Sequence, residues 1–443
     1  MSKSVSGFSK FSKQQKIKWL SENFFAAPDA AAHDLAAWQH SDSEVQRVLD
    51  GFTENAIANF PLPLSVAPNF SINGKTYAVP MVIEESSVVA AASSAAKFWA
   101  ERGGFHAVVV STVKLGQVHF RWAGSPDRLR QLFPAIKAHL LSECADLTAN
   151  MERRGGGVRS IELLDFTGIE PRYYQLRAAF DTCDSMGANF INSVLERFGD
   201  SLEQFLTEHT ELTDEERDVE IVMAILSNYT PQCLVRAWGE TPIASFTDLA
   251  RSQGMDAAAL ADRFATAVRI AVIDPYRATT HNKGIFNGID AVVLATGNDF
   301  RAVEACGHTY ACRDGQYRSL SRCTVANGIF RFELEIPLAL GTVGGLTALH
   351  PLAKRSLEML GNPSATELMC IVACVGLAQN FAAVRSLITT GIQQGHMKMH
   401  LTNILHHLGA SAAQTEAAQA YFSDKTVSFS AVRTFLERSG IPK

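Results

Sequence analysis

Residues 103–129 read GGFHAVVVSTVKLGQVHFRWAGSPDRL, and the fold turns on how they are read. Two glycines close the preceding segment, and HAVVVSTVK and QVHFRWAG then alternate apolar and polar side chains with the period of two expected of paired strands. Ser125-Pro126-Asp127 opens a helix, since Ser can cap it and Pro suits its first turn. Downstream the helix runs to about 152, VRSIELLDF (158–166) and YYQLRAAFD (173–181) read as strands, a helix starts near 185, and VEIVMAIL (219–226) reads as a strand. This order of β, α, β, β, α, β predicts a ferredoxin-like unit over residues 108–225, inserted into a larger one.

Upstream, FPLPLSVAPNFSINGKTYAVP (60–80) reads as extended chain with a turn at Asn73-Gly74. A helix follows over VVAAASSAAKFWAE, with Ser86 or Ser87 as its cap, and residues 1 to about 50 read as a helical arm. Past 226 come a long helix through FTDLARSQGMDAAALADRFATAVRIAVI (246–273), a loop-rich centre (274–300), a Gly-rich loop LGTVGGLT (340–347) and further helical runs. The predicted class is α+β: a large, mainly helical domain from 1–107 and 226–394, the small inserted domain 108–225, and a C-terminal helical flap 395–443.

With 443 residues, 47% of them hydrophobic, the chain can bury more than one core. Its 40 basic and 45 acidic residues give a formal charge of −5 with no long basic block, so neither nucleic acid nor anionic lipid is an expected partner. No apolar run is read as approaching the ~18–20 residues that span a bilayer, and MSKSVSGFSKFSKQQ has no signal-like apolar core, so a cytoplasmic location is expected. The eight cysteines show no CxxC and no Cys/His spacing for zinc; reduced thiols and no metal are expected.

Polar residues concentrate in DPYRATTHNKGIFNGIDAVVLATGNDFRAVE (274–304), read as loops beside a buried strand AVVLA and carrying Arg277, His281, Asn282, Lys283, Asn287 and Asp299. A solvated loop with a helix cap at Asn298 or Asp299 would have the same composition. PMVIEESSVVAAAS (80–93) sets Glu84 and Glu85 before an apolar helix, where a carboxylate either complements the helix dipole or serves as an acid. DSMGAN (184–189) follows a strand and opens a helix, with Asp184 placed to cap it and free amides suited to a pyrophosphate; it is not the GxGxxG pattern. GIQQGHM (391–397) sets His396 after Gly395, where an imidazole can give a proton to a departing thiolate near neutral pH.

Together with TENAIANFPLPLSVAPNFSING (53–74), RGGGVRSIE (154–162), ALGTVGGLTALHPLA (339–353) and GLAQN (376–380), these words in this order resemble the 3-hydroxy-3-methylglutaryl-coenzyme A reductase family, the soluble class II form more than the membrane-anchored class I. The resemblance implies reduction of the thioester to mevalonate and free coenzyme A with two NAD(P)H, or the reverse, NAD-dependent oxidation of mevalonate. It implies catalytic roles for Glu85 (proton donor), Lys283 (oxyanion), Asp299 (hydrogen-bonded to Lys283 and coupling it to Glu85) and His396 (acid for the thiolate). Ser87, Arg277, Asn287 and Asn380 would hold the substrate, Arg277 by its free carboxylate. The large domain would then be the substrate domain and residues 108–225 the NAD(P)-binding one, with Asp184, Met186, Gly187 and Asn189 on the cofactor.

The resemblance also implies a homodimer with Glu54 and Asn55 at its interface and the active site shared; Lys10 stands where some relatives use Arg on a coenzyme A phosphate. In ADLTANMERRGGG (145–157), Thr148 falls where NADH-dependent relatives can carry Asp, and Arg153 and Arg154 are near enough to meet a 2′-phosphate, so NADPH is favoured over NADH, with Asp146 and Glu152 as the opposing carboxylates. A reductase of another acyl-coenzyme A and a catalytically silent coenzyme A-binding relative are the rival readings.

Overall fold

The computed structural model describes residues 3–389, 401–402, 404–422, 425 and 427–440. The chain folds as two compact units, Met1–Pro63 and Leu64–Lys443. The first holds α1 (Lys13–Phe24), α2 (Pro28–Ala37) and α3 (Ser43–Asp50), and Lys13 Nζ of α1 is tied to Asp50 of α3 at 2.7 Å. Ser12 and Gln15 form a capping box at the start of α1, and Asp42 caps α3.

The second unit opens with a hairpin of β1 (Leu64–Ile72) and β2 (Lys75–Val82), paired antiparallel across Asn73-Gly74, whose φ angles of 49° and 80° are those of a primed turn. Next come α4 (Val88–Ala100), β3 (His106–Val109), β4 (Lys114–Trp122), α5 (Pro126–Glu143), α6 (Ala145–Glu152), β5 (Gly157–Asp165), β6 (Tyr173–Asp181), α7 (Ala188–Glu208), β7 (Val219–Ser227) and β8 (Leu234–Pro242). They are followed by α8 (Thr247–Arg251), α9 (Ala257–Ile273), α10 (Pro275–Ala295), α11 (Phe300–Ala311), β9 (Ser321–Ala326), β10 (Ile329–Pro337), α12 (Gly345–Leu349), α13 (Pro351–Met359) and α14 (Ala365–Ile388). Helices at Ala412–Tyr421 and Phe429–Arg438 pack around Leu405, Phe422 and Val432.

One four-stranded sheet has the order β5-β6-β4-β7 with every neighbour antiparallel. Along β4 the inward register is Lys114, Gly116, Val118, Phe120 and Trp122. Its apolar members pack with Leu129, Ile136 and Leu140 of α5 and Val194, Leu195 and Phe198 of α7 in a core of their own. The other four-stranded sheet, β3-β8-β10-β9, belongs to a larger core with the hairpin, α4, α9, α10 and α14.

The polar stretch 274–304 departs from its sequence reading, because residues 275–295, AVVLA included, are one helix. Asp274 accepts from Tyr276 N–H at 3.0 Å and Pro275 occupies the first turn. Ala278, Ile285, Phe286, Ile289 and Val292 recur at helical spacing and are buried. The apolar run that resembled a strand is the last, mostly buried part of that helix. Conversely, 246–273 is two helices rather than one, broken at Gly254 (φ 66°) and restarted by the Asp256 cap on Ala259 N–H. Ser87 is the N-cap residue of α4, but with φ 75° it makes no side-chain cap bond, since a left-handed cap does not turn its Oγ onto the first amides.

The expectation of no long apolar run also fails at α14. Ala365–Ile388 is long and apolar enough to cross a membrane, and its composition has another cause: 83% of the apolar window is buried inside the fold.

Helix α10 lies against α14 closely enough that a Cβ at Gly288 would stand 2.8 Å from the Val375 carbonyl and 2.9 Å from Gln379 Cβ. Gly288→Val should therefore lower the unfolding free energy by about 1–3 kcal/mol, read as an earlier denaturant midpoint. An unchanged midpoint would mean that the helices have room to part.

Candidate active site

Glu85 sits between β2 and α4, and α10 packs against β2, so Lys283, on the open side of α10, meets it: Lys283 Nζ donates to Glu85 Oε2 at 2.8 Å. The side chains are 60% and 37% exposed. At such exposure an ion pair adds only ~0–1 kcal/mol to stability, so what the pair provides is a placed cation beside a carboxylate. Asn287 follows one turn after Lys283, on the same side of α10.

Behind this face the helix carries a buried polar network. His281 Nε2 pairs with Ser321 Oγ at 2.7 Å, Ser321 Oγ donates to Asn380 Oδ1 at 2.7 Å, and Asn380 Nδ2 donates to the His281 carbonyl at 3.3 Å. Burial, reinforced by the neighbouring Arg277, pushes His281 down to about 3, so it stays neutral and holds the helix instead of moving protons. Asn380, expected on the substrate, is 0% exposed and spends its amide on this wall. Arg277 is half-buried, which pulls its pKa down, and among the described residues it has no carboxylate partner.

The second part of the site is a cleft of about 400 Å³ lined by residues 185–190, 297–299, Arg301 and the 341–347 loop. Asp184 does not cap α7 as expected; its Oδ1 accepts from Ala365 N–H at 2.7 Å and caps α14. Gly187 holds the N-cap of α7 with φ 93° and no side-chain bond, so the first amides of α7 have no intrahelical acceptor at the cleft. Only a glycine suits this position, because a Cβ would also collide with Thr182.

Asp299 lines the same cleft as the N-cap of α11, accepting from Arg301 and Ala302 N–H at 3.0 and 3.2 Å, while the Arg301 guanidinium takes both its oxygens at 3.1 and 3.0 Å. Burial works to raise its pKa, but those hydrogen bonds and the Arg301 charge outweigh it and hold the carboxyl below the usual range. The expected Asp299–Lys283 bond does not form within one chain. From Lys283 to Ala295 the axis of α10 rises about 18 Å at ~1.5 Å per residue. The link to Asp299 stays at that far end, with Asn298 N–H bonded to the Val293 carbonyl at 2.9 Å.

Thr148 is 3% exposed and turned onto the Ala145 carbonyl, away from any ligand, whereas Arg153 and Arg154 are exposed. Asp146 faces Arg197 at 3.7 Å. Cys183 Sγ donates to the Arg154 carbonyl at 3.3 Å, which sets the arginine turn beside the 184–189 loop. His396 and Gly395 lie outside the described residues.

Sequence reasoning missed Arg301, whose place two residues after Asp299 gave no sign that it grips it, and the acid pair Asp290–Glu304 between α10 and α11. Asp290 Oδ1 is buried without a partner. Burial first, then the charge and hydrogen bond of Glu304, push Asp290 up to about 8. Acidic residues on neighbouring helices were the available signal, but their facing each other is a tertiary fact.

Compared with known proteins, residues 12–401 match the family model described as hydroxymethylglutaryl-coenzyme A reductase. The 3-hydroxy-3-methylglutaryl-coenzyme A reductase of Archaeoglobus fulgidus is 36% identical over 431 residues, 94% of this chain and 90% of the relative. Among solved structures, the Streptococcus pneumoniae enzyme aligns with a TM-score of 0.72 at 36% identity, over 98% of this chain and 100% of that one. The class II S. pneumoniae enzyme bound to NADPH in open conformations aligns at 0.71 and 37%, over 87% and 100%.

The Asp290 shift has a measurable consequence. A carboxyl whose folded pKa is raised binds more protons folded than unfolded, so stability falls as pH rises from about 4 to about 8 and is flat above. Asp290→Asn should remove that slope, its melting temperature exceeding the parent's most at pH 8 and least near pH 4. Parallel stability curves for the two proteins would sink the assignment.

Proposed function

The chain belongs to the hydroxymethylglutaryl-coenzyme A reductase family, of the class II type, and on that premise we propose that it reduces 3-hydroxy-3-methylglutaryl-coenzyme A to mevalonate and coenzyme A at the expense of two NADPH. The observation that carries this reading is the 2.8 Å Lys283–Glu85 pair at the open face of α10. Bound reduced nicotinamide supplies the two hydrides, one for each two-electron stage. Lys283 is the cation that meets the oxyanion arising at the thioester carbon. Glu85 donates the proton when the aldehyde is reduced, and His396 protonates the departing thiolate. Arg277, half-buried and unpaired among the described residues, takes the free carboxylate of the acyl group, with Asn287 and Ser87 beside it; Asn380 acts from behind, on the wall that holds α10.

The catalytic aspartate comes from a second copy. Asp299 lies at the far end of α10 from its own Lys283, so we assign the third charge at each site to Asp299 of the partner subunit, in a homodimer with two shared sites. The cofactor is assigned to the cleft at Gly187 and Asn189, where the β5-β6-β4-β7 unit meets the 297–301 and 341–347 segments. The exposed Arg153 and Arg154 turn, tied to that loop through Cys183, supports NADPH over NADH.

Lys283→Ala should keep the fold and lose about a hundredfold or more of turnover. Asp299→Ala should be as impaired. Unfolding and refolding the two inactive variants together should restore about a quarter of wild-type activity if each heterodimer rebuilds one intact site; no recovery in verified heterodimers would refute the shared site. For the cofactor, kcat/KM should favour NADPH by about tenfold, ~1.4 kcal/mol, and replacing Arg153 and Arg154 by Ala should erase the preference. A wild-type ratio favouring NADH would overturn it.

A further inference from the structure

Lys114 opens β4 on the inward register of the sheet and is only 4% exposed. Its Nζ donates to Thr182 Oγ1 and, at 2.9 Å, to the Ser185 carbonyl, while Thr182 Oγ1 donates to that same carbonyl at 2.6 Å. Among the described residues no carboxylate stands within ion-pair distance of the ammonium; Asp181 and Asp184 act on it only from further off. Burial works to lower its pKa, with Cys233 and those aspartates opposing. A cation held out of water without a counter-ion is costly. This one is spent on two oxygens of the loop that ends in Gly187 and delivers the first amides of α7 to the cleft.

Within the loop, Ser185 N–H donates to the Thr182 carbonyl at 3.0 Å and Cys183 N–H donates to Asp181 Oδ1 at 2.9 Å. On its far side it is held by the large core: the Asp184 carbonyl accepts from Thr342 N–H at 2.8 Å, Ser185 bridges to Val343, and the Asp184 side chain caps α14. Lys114 is the matching hold from the small core, at the point where the chain leaves β3 and enters β4. We infer that Lys114 is a positioning residue for the cofactor: it fixes Thr182 and Ser185 so that the turn at Gly187 aims the amide groups of α7, under a buried positive charge, at the dinucleotide's pyrophosphate. The inference rests on the proposal that residues 184–189 bind NADPH, and it concerns affinity for that ligand rather than the chemistry at Lys283.

The test compares the full-length wild type with Lys114→Met and Lys114→Arg, measuring NADPH binding by fluorescence titration, KM for NADPH and for 3-hydroxy-3-methylglutaryl-coenzyme A, and melting temperature. Lys114→Met should weaken NADPH binding by about tenfold or more, as the loss of a charged hydrogen-bonding group does, with the thioester KM within about twofold and kcat at saturating NADPH largely kept. Lys114→Arg should recover part of the affinity. If Lys114→Met does not fold, Thr182→Val, which keeps the cation and removes its hydroxyl acceptor, must weaken NADPH binding in the same direction. Unchanged NADPH affinity in a folded variant, or equal loss for both substrates, overturns the inference. A wild type that binds NADPH but does not reduce the thioester would instead refute the proposed reaction, leaving the binding comparison to judge Lys114.

Discussion

The close packing of α10 on α14 is the constraint on which the site depends. With Gly288 against the Val375 carbonyl, α10 has one face pressed into the larger core and the opposite one free. At 3.6 residues per turn, a slip of one residue would swing Lys283 about 100° away from Glu85. The His281–Ser321–Asn380 network resists that slip, because each member is buried and loses its partner if the helix turns. The pair at the mouth of the site is weak, so it is the wall behind it that keeps Lys283 and Glu85 together.

The same helix separates the charges as firmly as it places them. Lys283 lies near its middle and Asp299 beyond its end, where a second helix begins. As an N-cap gripped by Arg301, Asp299 is kept ionised and oriented, and its position serves a different neighbourhood from that of its own Lys283.

The cleft joins three segments far apart in sequence: the 184–189 loop, the turn before α11, and the glycine-rich 341–345 loop. Asn298 Oδ1 accepts from Gly341 N–H at 2.8 Å, and Asp184 reaches the start of α14. The loop with the free amides therefore hangs between two cores, each with its own hydrogen bonds to it, and movement of one core against the other would be felt there first.

The sequence by itself determined the strand alternation around residue 118, the Asn73-Gly74 turn and the family words, because these are local: period, turn chemistry and residue order need no distant partner. The family words were enough to name Glu85, Lys283 and Asp299 as candidates. It misread 275–295, since the last turns of that helix, AVVLA, are apolar and mostly buried and so lose the periodicity that marks a helix, and a short β-branched run then resembles a strand. Only the tertiary structure decided that Lys283 meets Glu85 while its own Asp299 is held by Arg301, that Asp184 caps α14 across 181 residues of chain, and that Lys114 is buried beneath the 182–187 loop. Each of these depends on which faces two packed elements turn to one another, and that is set by the shape of the cores, not by any window of sequence.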